Sequence, residues 1–240
     1  MGWIANALNS SIGKKFIMAL TGVCLLLFLI IHLINNLTLY GGPELFNTVV
    51  KNLENIKPLV RVIELILALI FVFHIYDAIR VWYGNKKARP VNYKVNASSE
   101  NSTLFSRTMI WSGSVIFIFL VIHLRTFWVS FNLGHPLAQS HNYYEIVVQA
   151  FSDPVYSLLY VAAIILLGFH LKHGFQSAFQ TFGWNNNKYF PLIKKLGDIY
   201  TYIMVIGFAS IPIYFLFFTE VTDGKIRFKS SGWSYRRKMD

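Results

Sequence analysis

The sequence is short of charge. Asp, Glu, Lys and Arg make up 14% of its 240 residues, against about 25% in an ordinary soluble domain. With 55% hydrophobic and 17% aromatic residues beside that shortage, a water-soluble fold is excluded. Cysteine is almost absent. Cys24 stands alone, which excludes a disulfide framework and any cysteine-ligated metal or iron–sulfur centre. Acidic residues are scarce as well, 11 against 22 basic ones, for a net charge of +11. A basic balance alone points toward nucleic acid, but the charges fall in short stretches between apolar blocks, where no soluble domain presents them. Anionic headgroups, topology and a peripheral protein partner account for them instead.

What the chain has in quantity is long apolar runs. Five blocks, at about residues 16–40, 59–83, 108–131, 155–181 and 199–219, are each long enough to cross a hydrocarbon core roughly 30 Å thick at about 1.5 Å per helical residue. Because they are continuous rather than alternating, they predict helices and not a β-barrel. The expected fold is therefore an all-α bundle of five transmembrane helices, one membrane domain over residues 1–240 ending in a basic tail at 220–240. The first block is too long for a signal-peptide core and is expected to be retained. Ser152-Asp153-Pro154 and Lys57-Pro58 read as helix starts, and Pro212 predicts a kink within the fifth helix.

Basic residues orient the bundle. Lys14 and Lys15 precede the first block, Lys86, Lys87, Arg89, Lys94 and Arg107 occupy the second connection, and Lys188, Lys194 and Lys195 the fourth. The third connection has only Arg125, at its edge. This predicts a cytoplasmic N-terminus. The tail, with Lys225, Arg227, Lys229, Arg236, Arg237 and Lys238, pulls the other way but comes late in the chain.

Ionisable residues inside membrane spans are expensive to bury and mark function by default. Five of the seven histidines lie in the blocks: His32, His74, His123, His170 and His173. His135 and His141 fall in the third connection and are expected at the surface. His32, His74, His123 and His170 each lie 16 residues after the start of their helix, counted from Phe16, Pro58, Arg107 and Pro154. That places each about 24 Å along its span. Since successive helices alternate direction, His32 and His123 meet toward the outer face, and His74 and His170 toward the cytoplasmic face.

One membrane histidine can be a simple interhelical hydrogen bond. Four, sorted into two facing pairs, predict metal ligands. Two neutral imidazoles across an apolar interior suit the axial positions of a haem, whereas zinc or a di-iron desaturase needs more ligands clustered together. Of the neighbours His170 and His173, the first is the expected ligand, because Gly174 lies on its face and leaves room for a macrocycle edge. Arg80, Lys172, Arg125 and His173 are candidate partners of the haem propionates. Trp82, Trp128 and Trp184 fit the aromatic belt. Glu64 and Asp77 are acids within spans, and Asp77 is placed to pair with Arg80.

The stretch His170-Leu-Lys-His-Gly-Phe-Gln-Ser-Ala-Phe-Gln-Thr-Phe-Gly-Trp184, with one ligand on each of the first four helices, resembles the cytochrome b subunit of succinate dehydrogenase/fumarate reductase, in its two-haem, single-chain form. Ser11-Ile-Gly-Lys-Lys15, Thr21-Gly22 ahead of His32, His74 with Arg80 and the Pro90-Val-Asn-Tyr93 that follows, and Trp111-Ser-Gly113 ahead of His123 extend the similarity over nearly the whole chain. The resemblance implies two haem b groups and a membrane anchor bound to an iron–sulfur subunit, which in turn binds an FAD-containing flavoprotein. It also implies electron passage to or from a membrane quinone, menaquinone by preference, in a bacterial cytoplasmic membrane. Quinone-site candidates are carried on both faces: Ser10, Ser11, Lys14 and Arg80 inside, Asn35, Asn36, Glu44 and Glu54 outside. The alternatives are a cytochrome b anchor of a hydrogenase or formate dehydrogenase and, from a different class, a haem-free transporter.

Overall fold

A computed structural model describes residues 2–87, 108–222 and 225–228. The motif 90–93, the cations Arg89, Lys94 and Arg107, and the tail residues Lys229, Arg236, Arg237 and Lys238 lie outside these residues. Among these described residues the fold is all-α apart from one short ribbon, and five helices are long and apolar enough to cross a membrane.

A short helix, α1 (Trp3–Asn9), leads into the first spanning helix, α2 (Ser11–Leu37). Ser10 caps α2 by accepting the Gly13 N–H at 3.0 Å, so the helix starts before its apolar run and carries Lys14 and Lys15 on its first turns. A 3₁₀ turn over Thr38–Gly41 joins α2 to α3 (Gly42–Asn55), which lies outside the apolar blocks. The second span, α4 (Lys57–Lys87), runs a turn past its apolar block with lysines at its C-terminal end, where cations suit the helix dipole.

The third span, α5 (Met109–Asn132), is α-helical to His123, widens to a π-helix over Leu124–Trp128, and closes with an α-turn over Val129–Asn132. After the single turn α6 (Pro136–Gln139) comes α7 (Tyr143–Ser152). Asp153 caps the fourth span, α8 (Pro154–Thr181), by accepting the Tyr156 N–H at 2.8 Å, and Pro154 takes the first position, where its missing N–H costs nothing. The fifth span, α9 (Phe190–Phe218), begins two turns ahead of its apolar block, so Lys194 and Lys195 sit on the helix rather than in a connection. Pro212 is buried inside it. Strands β1 (Thr219–Thr222) and β2 (Lys225–Phe228) form an antiparallel ribbon in the register Thr219 with Phe228.

Packing is uneven. The α8–α9 seam is close: a Cβ on Gly168 would stand 2.5 Å from Val205 Cγ2, and small residues are how membrane helices approach. By contrast the only buried residue of α4 is Asp77, and the only one described in α5 is Ser112. The largest buried cluster lies at the far end, opposite the N-terminus of α2. There α3 and α7 cap the bundle, with Leu39, Phe46, Tyr143, Tyr144, Val148 and Phe215 at its centre. A spanning helix can meet lipid with an apolar face, whereas a cap at the interface must bury its apolar stripe against protein.

That cap titrates. Burial is the main cause that raises the Tyr143 phenol well above its ordinary value, with Glu54 adding to it. Burial, then Tyr214, pushes Tyr144 up to about 12. A raised folded-state value means stability fully present below the unfolded value of 10 and lost as pH climbs toward 12. The purified chain should unfold at progressively lower temperature across that window, and Tyr144→Phe should reduce the slope. A Tyr144→Phe protein with an unchanged alkaline slope would remove this tyrosine from the account.

Candidate functional site

Four histidines, one from each of α2, α4, α5 and α8, face each other in two pairs. The His32 and His123 ring centres lie 5.8 Å apart with planes at 80°. Those of His74 and His170 lie 6.4 Å apart at 69°. By helix direction the second pair sits toward the N-terminus of α2 and the first toward the capped end; they are called the near and far pairs below. An imidazole nitrogen sits about 2 Å from its metal and the ring centre roughly 1 Å farther, so two rings on opposite sides of one metal stand roughly 6 Å apart. Both separations fit. No group of three or more His, Cys, Asp or Glu converges among the described residues, so the donors come in twos. Open space also surrounds Gly174, where an added Cβ would meet nothing within 4 Å.

The far pair is wrapped in aromatic rings. His32 stacks on Phe28 at 5.2 Å and leans on Phe208 at 5.6 Å. His123 lies between Phe119 and Phe127, at 5.9 and 5.4 Å. Its Nδ1 is 3.2 Å from the buried Tyr160 hydroxyl, which accepts the Tyr156 hydroxyl at 2.9 Å. In the near pair, Thr21 Oγ1 reaches His74 Nδ1 at 3.1 Å and Ser112 Oγ reaches His170 Nδ1 at 3.4 Å. An apolar groove of about 400 Å³, lined by Ile17, Thr21, Ile66, Leu69, Ile70 and Phe73, runs beside this pair between α2 and α4.

The other residues singled out in the sequence fall in several places. Arg80 donates to Asp77 at 3.0 Å and to Asn9 at 2.7 Å, and it covers the Tyr76 ring. Lys172 lies 2.9 Å from Asp198 on α9, an ion pair with no signal in the sequence. Arg125 is exposed within the π-helical turn, while His173 is half-buried three residues beyond His170. Glu54 pairs with the largely exposed His141 at 3.3 Å, and His135 caps α6 through its ring. Glu44 and Ser11 are exposed; Lys14 is half-buried. Glu64 takes the Arg61 guanidinium at 2.6 Å, and Arg61 also donates to Asn132 at 2.9 Å and lies over Trp128. Trp128 thus has a cation beside it. Thr21, Ser112, Tyr160 and Arg61 are the contacts that sequence reading passed over. For the first two a signal existed in the matching pairs Thr21-Gly22 and Ser112-Gly113.

Compared with known proteins, residues 85–210, just over half of the chain, match the family model of the succinate dehydrogenase/fumarate reductase transmembrane subunit. Neither the curated proteins nor the solved structures give a match. The matched stretch contains His123 and His170, while their partners His32 and His74 precede it. With five apolar spans and this match over more than half its length, the chain belongs to the succinate dehydrogenase/fumarate reductase transmembrane subunit family.

Proposed function

We propose that this chain is the dihaem cytochrome b anchor of a succinate:quinone oxidoreductase (quinol:fumarate reductase) complex, linking an iron–sulfur subunit to membrane quinone. The observation that carries the reading is the set of two facing histidine pairs at two levels of one bundle. Haem held by each pair would supply one-electron chemistry. The chain's own residues orient the axial imidazoles, keep water out with the Phe28, Phe119, Phe127 and Phe208 rings, and offer Arg80, Arg125, Lys172 and His173 to the propionates.

Lys14 and Lys15 on α2, Lys86 and Lys87 at the end of α4, and Lys194 and Lys195 on α9 gather by helix direction at the near end. In this reading the near end faces the cytoplasm and receives the iron–sulfur subunit, which carries the FAD-containing flavoprotein. The membrane is a bacterial cytoplasmic membrane, and menaquinone is the preferred quinone. Isolation of the complex with its partners tests the reading. Two b-type haems per chain, resolved as two waves in a redox-titrated absorbance spectrum, and succinate- or fumarate-linked menaquinone turnover are expected. A complex without a Soret band would return the chain to a haem-free role.

A further inference from the structure

Each ring of the near pair is backed by a hydroxyl, and the direction in which each hydroxyl proton points is decided by its other neighbours. Thr21 Oγ1 lies 2.9 Å from the Ile17 carbonyl and 3.1 Å from the Met18 carbonyl. Carbonyls only accept, so the one hydroxyl proton points at them and a lone pair faces His74 Nδ1. Ser112 repeats this: its proton goes to the Met109 carbonyl at 3.1 Å, and its lone pair faces His170 Nδ1. Each Nδ1 therefore carries the ring proton. A neutral imidazole has one donor and one acceptor nitrogen, so each Nε2 is left with its lone pair, the form a metal requires.

We propose that Thr21 and Ser112 are positioning residues that fix the Nε2-ligating tautomer of His74 and His170 and hold down the potential of the near haem. The proposal rests on the haem reading above. The sequence repeats the device. His32 follows Thr21-Gly22, and His123 follows Ser112-Gly113, in each case ten residues after the glycine. One helix thus carries a far ligand and, about 16 Å along it, the support for a near ligand. The glycines complete the seat. A Cβ on Gly22 would stand 3.6 Å from His74 Cε1, and one on Gly113 3.5 Å from His170 Cε1, so each ring packs on bare backbone beside its hydroxyl. The far pair is built differently, with Tyr160 at His123 and ring stacking at His32. It serves as an internal control.

An N–H···O bond from an axial imidazole makes the ring a stronger donor and favours ferric iron, so its loss raises the potential. The test uses the purified complex carrying Thr21→Val, which keeps the shape and drops the hydroxyl, Thr21→Ser, which keeps the hydroxyl, Ser112→Ala, and the double variant combining T21V with S112A. Optical redox titration and the low-temperature electron paramagnetic resonance spectrum of the ferric haems are recorded for each. The expected result is an upward shift of one midpoint potential in T21V and in S112A, larger in the double variant. T21S should return it to the wild-type value, and the far wave should not move. Loss of the near haem in T21V but not in T21S would support the same role. The inference is overturned if T21V and T21S behave alike, or if only the far wave moves, or if neither does. A wild-type complex with no haem would instead overturn the parent reading.

Discussion

On the proposed dihaem reading, His170→Ala is expected to halve the haem content of the purified complex, removing the near haem and leaving the far one spectroscopically intact. The ring faces His74 at 6.4 Å, with its Nδ1 turned to Ser112, and no other imidazole is described facing that ring across the bundle. Outer contacts of a metal ligand are each worth about 10–100-fold in affinity, so an axial ligand itself is worth more than the site can lose. The helix should survive, because α8 is anchored by an adjacent face: Tyr160, Ile164, Leu171 and Ala178 are all buried. His74→Ala should give the same spectrum, whereas His32→Ala or His123→Ala should remove the other haem. His173→Ala should retain both, since it is His170 that faces the ring on α4. Haem extracted per chain, with the two redox waves counted, decides it. Loss of the near haem in His173→Ala with retention in His170→Ala would reverse the assignment of the ligand.

The spans were legible because a bilayer imposes a length on apolar runs that no loop imitates, and the grouping of histidines by level followed from helix direction alone. What the sequence hid lies where the bilayer stops dictating. The helix α9 starts at Phe190 rather than at the apolar block because the polar turns holding Lys194, Lys195 and Asp198 still meet protein; Asp198 receives Lys172 there. The cap helices α3 and α7 interrupt connections with no long apolar run, and their burial depends on each other and on Phe215.

Thr21 and Ser112 were hidden for a different reason. A hydroxyl in an apolar helix ordinarily turns back to its own preceding carbonyl, and both do so. Only the position of a ring 53 or 58 residues away shows that the lone pair is also used. The tendency that makes such residues look structural is what frees them to accept.

Arg80→Leu should cost about 3–5 kcal/mol of stability, the range for stripping the partner from a buried charge. Asp77 is 2% exposed, and its carboxylate would remain buried with its counter-ion gone. Thermal unfolding in detergent measures this, and Asp77→Leu combined with Arg80→Leu should recover most of the loss, because then no charge is left unpaired. The same double variant separates structure from cofactor. Arg80 uses one donor on Asp77 and one on Asn9 out of five, so its guanidinium retains capacity for a propionate at the near end. The double variant is therefore expected to fold stably yet release the near haem more readily than wild type, with the far haem unaffected. If it kept the near haem as firmly as wild type, Arg80 would be a partner of Asp77 and Asn9 only. If the single variant lost no stability, the buried carboxylate would have found water, and the ion pair would carry neither role.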